Sequence, residues 1–170
     1  ESNETLTRMG PGAAMGRVFR QFWQPALLSE ELPVADCPPV RVRLMGEDFV
    51  AFRDSSGKVG LLDAHCPHRL ADLFFGRNEE GGLRCVYHGW KFSVAGEILD
   101  MPSEPQGSPM RCNPNLRAKA YPVREAGGII WAYLGPQESM PALPDMEFMS
   151  LPPQNVHVSK CLMKYVSRSI

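Results

Sequence analysis

The chain has 170 residues, 44% of them hydrophobic and 22% charged, and its 18 Lys and Arg stand against 19 Asp and Glu for a formal net charge of −1. That length and apolar content suit one domain with a real core, and the near-neutral balance without a basic stripe sets nucleic-acid binding aside. No apolar run reaches the roughly 18–20 residues that span a bilayer, and no secretory signal stands at the N-terminus.

Residues 1–13 are polar and rich in Gly and Pro, and read as loose. Met15, Val18, Phe19, Phe22 and Trp23 then recur at helical spacing, which predicts a short amphipathic helix packed on the core and stopped by Pro25. Beyond Pro33 the period changes to two. Val40–Leu44 alternates apolar and charged residues, a turn follows at Gly46-Glu47-Asp48, and Phe49–Phe52 forms a second strand. Asp54–Gly57 turns the chain again before Val59–Leu62, completing a meander. Further strands are expected at Leu83–Val86, Trp90–Phe92, Ile98-Leu99, Lys119–Val123 and Ile129–Leu134. Residues 101–116 read as a long loop, and 135–153, rich in Pro and Met, as a linker or covering segment. The final residues read as a strand cut short. The fold class is mainly β, a sandwich or small stacked antiparallel sheets.

The five Cys are odd in number and not spaced as a disulfide scaffold, which favours thiol or metal chemistry in a reducing compartment. The chemical centre is Cys66-Pro67-His68 and Cys85-Val86-Tyr87-His88. Each pair follows an expected strand, Val59–Asp63 for the first and Leu83-Arg84 for the second, so each sits on a loop at a strand end. Thiolate with imidazole suits a transition metal rather than Ca²⁺ or Mg²⁺. A tetrahedral zinc site and a two-iron cluster with two Cys on one iron and two His on the other both use this donor set. Zinc sites group like ligands along the chain, whereas here each loop offers one Cys and one His, as a cluster lying between two loops requires. Cys37, Cys112 and Cys161 read as structural thiols, with Cys37 and Cys112 open to oxidation if exposed. His65 is expected to point away from Cys66, and His157 to be ordinary.

The run Cys66-Pro67-His68-Arg69 … Cys85-Val86-Tyr87-His88-Gly89-Trp90-Lys91-Phe92 resembles the N-terminal Rieske [2Fe–2S] domain of Rieske non-haem iron oxygenases. The flanks Phe22–Leu28, Pro39–Val42, Phe74–Glu80 and Asp100–Pro105 are similar to the phthalate 4,5-dioxygenase-like group. Relatives often carry Gly where Leu70 stands. The resemblance implies a Rieske-type fold with a short N-terminal helix and a cluster-binding subdomain of two hairpin loops. Cys66, His68, Cys85 and His88 would hold one [2Fe–2S] cluster, with Arg69, Tyr87, Gly89 and Trp90 beside it. Neither loop has the extra Cys of respiratory Rieske proteins, which implies the low-potential oxygenase type, near the bottom of roughly −150 to +300 mV.

The expected organisation is a helical segment over 1–35, the Rieske domain over 36–135, and over 136–170 a linker with the truncated start of a missing catalytic domain. The resemblance implies the electron-transfer module of an aromatic-ring hydroxylating or demethylating oxygenase, an oxidoreductase component that takes electrons from an NAD(P)H-dependent reductase. It would pass them to a mononuclear Fe(II) held by two His and a carboxylate outside this chain, in a cytoplasmic homotrimer with no nucleic-acid or membrane partner. The alternatives are a stand-alone Rieske ferredoxin or small reductase subunit, and a zinc-stabilised binding module.

Overall fold

The computed structural model describes residues 2–113 and 115–161. Two short helices, α1 (Ser2–Thr7) and α2 (Ala14–Phe19), precede the strands β1 (Trp23–Leu28), β2 (Val40–Leu44), β3 (Glu47–Arg53) and β4 (Val59–Asp63). Then come β5 (Arg77–Glu79), β6 (Gly82–Arg84), β7 (Lys91–Phe92) and β8 (Ile98–Asp100). After a long loop follow β9 (Ala120–Tyr121), β10 (Val123–Ala126), β11 (Ile129–Tyr133) and the one-turn helix α3 (Glu147–Ser150).

The strands form three antiparallel sheets, ordered β1-β11-β10, β2-β3-β4-β9 and β5-β6-β7-β8. The second sheet is the middle layer, and its sequence explains why. Phe49, Val50, Ala51 and Phe52 are all buried, so β3 has no solvated face. Alternation sends Phe49 and Ala51 of β3, with Leu61 of β4, into a core shared with Leu27 of β1 and Ile130 and Ala132 of β11. Val50, Phe52 and Leu62 point the other way, into a second core with Leu83, Trp90, Phe92, Cys66 and Cys85. The functional loops therefore rest on the back of the same sheet that supports the β1 side. Arg53 ties the layers together. It donates two bonds to the Glu125 carboxylate on β10, at 2.9 and 3.0 Å, and one to the Leu32 carbonyl.

Several expectations change at the N-terminus. Residues 2–7, expected to be loose, form the helix α1. The helix ends at Phe19, and Trp23 begins a strand that pairs with β11, Trp23 opposite Tyr133. Pro25 does not stop a helix. It sits where β1 shifts register against β11, on an edge strand whose missing N–H is tolerated. The apolar stripe is not core either: Val18, Phe19 and Phe22 are exposed, and Gly16 is the buried residue of α2. Trp23, the one member that is buried, belongs to the strand, where it packs on Tyr133 and donates Nε1–H to the Pro141 carbonyl.

Elsewhere the differences are smaller. The β2–β3 turn lies at Met45-Gly46, one residue earlier than expected, both with positive φ as a two-residue hairpin of primed type requires. Pro122 divides the expected Lys119–Val123 strand into β9 and the start of β10. The three-residue strand β5, which carries no apolar alternation, was not expected from the sequence. Residues 162–170, where the truncated strand was expected, lie outside the described residues.

Candidate metal centre

The two loops share one backbone design. In the first, Cys66 N–H donates to the Ala71 carbonyl, and the Cys66 carbonyl accepts from Leu70 N–H. In the second, Cys85 N–H donates to the Trp90 carbonyl, and the Cys85 carbonyl accepts from Gly89 N–H. Each loop thus closes over the same two offsets, and the residue at the closing position has positive φ, 56° at Leu70 and 76° at Gly89. Gly89 is required for space as well, since a Cβ there would stand 2.7 Å from Pro102 Cγ. Leu70 adopts the same conformation with a side chain, which projects 72% exposed into solvent.

This design brings the expected ligands together. Cys66 and Cys85 are each 2% exposed and unbridged, and their thiols lie close enough to interact. Burial pushes the Cys66 thiol up, to about 11, against the pull of the His68 and Arg69 backbone N–H groups aimed at its sulfur. The His68 and His88 rings meet at 4.5 Å between centroids. Burial, then His88 and Arg69, lower the His68 pKa, so its imidazole is neutral at pH 7, the form that binds metals. His68 Nδ1 is buried without a hydrogen-bond partner.

Among the described residues, no three His, Cys, Asp or Glu side chains close on a point for a single metal ion. The four side chains are instead grouped as thiol beside thiol and imidazole beside imidazole. A tetrahedral one-ion site does not match that grouping, and a two-iron centre with sulfur ligands on one iron and nitrogen on the other does. The buried, unpartnered Nδ1, the twinned thiols and the backbone N–H groups directed at sulfur all fit such a group.

The neighbours divide. Trp90 is fully buried and stacks on His68 at 4.3 Å with the rings 2° from parallel, while its Nε1–H donates to Ser103 Oγ. Tyr87 lies exposed against the His88 ring, 3.9 Å between centroids, and its hydroxyl makes no bond to sulfur among the described residues. The Arg69 side chain is exposed. No sequence signal marks Arg84, whose guanidinium holds the second loop by donating to the Gly89 carbonyl, Glu79 and Asp100 at 2.7–2.8 Å. Its chemistry is visible only once β5, β6 and β8 are adjacent.

Among the described side chains, the other thiols and imidazoles take no part in the site. Cys37 is buried in the core on the β1 side rather than exposed. Cys161 is exposed and outside any strand, and the Cys112 side chain lies outside what is described. His65 is exposed while Cys66 is buried, as alternation requires, and His157 is exposed.

Residues 22–122 match the family model described as Rieske [2Fe–2S] domain. The chain belongs to this family. Its cofactor is accordingly one Rieske-type [2Fe–2S] cluster. The chain is 48% identical over 164 residues to the 3-chlorobenzoate-3,4-dioxygenase oxygenase subunit of Comamonas testosteroni, covering 96% of this chain and 37% of that protein. It is 50% identical over 141 residues to the phthalate 4,5-dioxygenase oxygenase subunit of Pseudomonas putida, covering 83% and 32%. Among solved structures it resembles dicamba monooxygenase bound to dicamba, with TM-score 0.66 and 30% identity over 74% of this chain and 38% of that one. The chain therefore spans about a third of the length of these curated relatives. No helix among the described residues is long and apolar enough to cross a membrane.

Proposed function

We propose that Cys66, His68, Cys85 and His88 hold the cluster and that this domain is the electron-transfer module of an oxygenase acting on aromatic compounds. The observation that carries the assignment is the buried His68 Nδ1, left without a partner beside His88 and next to two unbridged buried thiols. A buried polar atom with no partner is costly unless a ligand satisfies it. When bound, the cluster supplies one-electron redox chemistry. The chain's own residues hold it by two matched loops, keep water from the thiols by burial, and offer the imidazole pair where the loops end.

The relatives, both oxygenase subunits by name, support the wider role. Electrons would arrive from an NAD(P)H-dependent reductase in the cytoplasm and leave toward a mononuclear iron in a catalytic domain joined through residues 136–170. A homotrimer would bring a cluster of one subunit beside the iron of the next.

The test is electron paramagnetic resonance of the dithionite-reduced protein. A low average g from iron with nitrogen ligands is expected, and it should vanish in Cys66→Ser, Cys85→Ser, His68→Ala and His88→Ala. A signal typical of an all-thiolate cluster, or one surviving loss of either imidazole, overturns the assignment.

A further inference from the structure

The structure assigns Trp90 a specific task that deepens the ligand reading above and rests on it: Trp90, carried by the second loop, positions the imidazole of the first. Its indole lies parallel to His68, 2° from coplanar orientation at 4.3 Å, which is contact distance for two stacked rings. An imidazole side chain has two torsions, and the ring torsion is broad unless neighbours restrict it. The stack removes that freedom on one face, and His88 closes from another side at 61° to the His68 plane.

Trp90 is itself held at three points. It is fully buried in the core on the loop side, its carbonyl accepts Cys85 N–H at 2.8 Å, and its Nε1–H donates to Ser103 Oγ at 3.1 Å. The backbone bond that closes the second loop therefore also sets the plane against which His68 rests. The two loops are alike in backbone but not in this respect. Ala71 occupies the position equivalent to Trp90 in the first loop, and it has no ring to offer His88. His88 has instead the exposed Tyr87, tilted by 40°. The two imidazoles are thus unequal: His68 is braced from within the fold, and His88 is flanked by a surface ring. Trp90 acts through His68 and is a positioning residue.

The experiment is pulsed electron paramagnetic resonance on the reduced, cluster-loaded chain, reading the two ligand nitrogen couplings separately. In Trp90→Leu, one coupling is expected to shift and broaden while the other keeps its wild-type value. Trp90→Phe, which preserves a stacking ring, should restore both. Two unchanged couplings in Trp90→Leu overturn the inference, as does an equal shift of both, or a Phe variant that behaves like Leu. Where Trp90→Leu yields no folded protein, Ser103→Ala carries the test: it frees the indole N–H at an exposed position, and the same single coupling must move. An unchanged pair there overturns the inference. Absence of nitrogen couplings in the wild-type chain would instead defeat the ligand assignment, so the two failures are distinguishable.

Discussion

Leu70 is held in the left-handed region at φ 56° with its side chain mostly in solvent. That conformation costs a residue with a Cβ roughly 1–2 kcal/mol, and glycine's larger loss of chain entropy returns only part of the difference. Leu70→Gly should therefore raise stability by about 0.5–1 kcal/mol, read as a higher urea midpoint at unchanged slope. Leu70→Val, β-branched at the same φ, should lower it by about 1 kcal/mol. That Cys66, His68, Cys85 and His88 come together was legible from Cys66-x-His68 and Cys85-x-x-His88 alone, because few side-chain types suit a transition metal. The matched backbone closure was half legible. Gly89 announces a left-handed position, whereas nothing in the residue type of Leu70 does.

At the level of elements, the continuous apolar run Phe49–Phe52 was readable as a strand and is in fact buried on both faces. Phe52 shows what that double burial implies. Its ring fills the core beneath the two Cys–His loops and lies 2.9 Å from the position a Cβ on Gly60 would take. Phe52→Ala should cost about 3–5 kcal/mol through lost burial and the void left behind, measured by chemical denaturation. The strand β1 was not legible. Its residues Trp23 and Leu27 repeat at four, a spacing compatible with helix or strand, and Pro25 tipped the reading toward a helix stop. Pairing with β11, more than a hundred residues away, decides the matter, and no local pattern carries that information. For the same reason β5, with Arg77-Asn78-Glu79, looks like loop until β6 lies beside it.

Across the whole molecule, ion pairs join separate elements, and their carboxylates have lowered pKa values. The Arg53 bonds hold Glu125 down, and the Arg84 bond holds Asp100 down. At Asp72 burial pushes the carboxyl up, but the Arg41 and Phe74 bonds outweigh it and the net shift is downward. Each such group lies lower folded than unfolded. Its contribution is complete above the ordinary carboxylate range near pH 4 and is lost as pH falls through the folded value. The urea midpoint should therefore hold steady near neutrality and fall below about pH 4. Arg53→Gln should lower the neutral value and flatten that acid decline. Finally, the orphaned His68 nitrogen has a bearing on how the protein lives in a cell. A chain made while iron is scarce folds around a polar atom that nothing answers, and a species that binds only the native form shifts its balance against unfolding. On the ligand assignment proposed above, iron supply would govern how long each copy survives proteolysis, before any electron has moved.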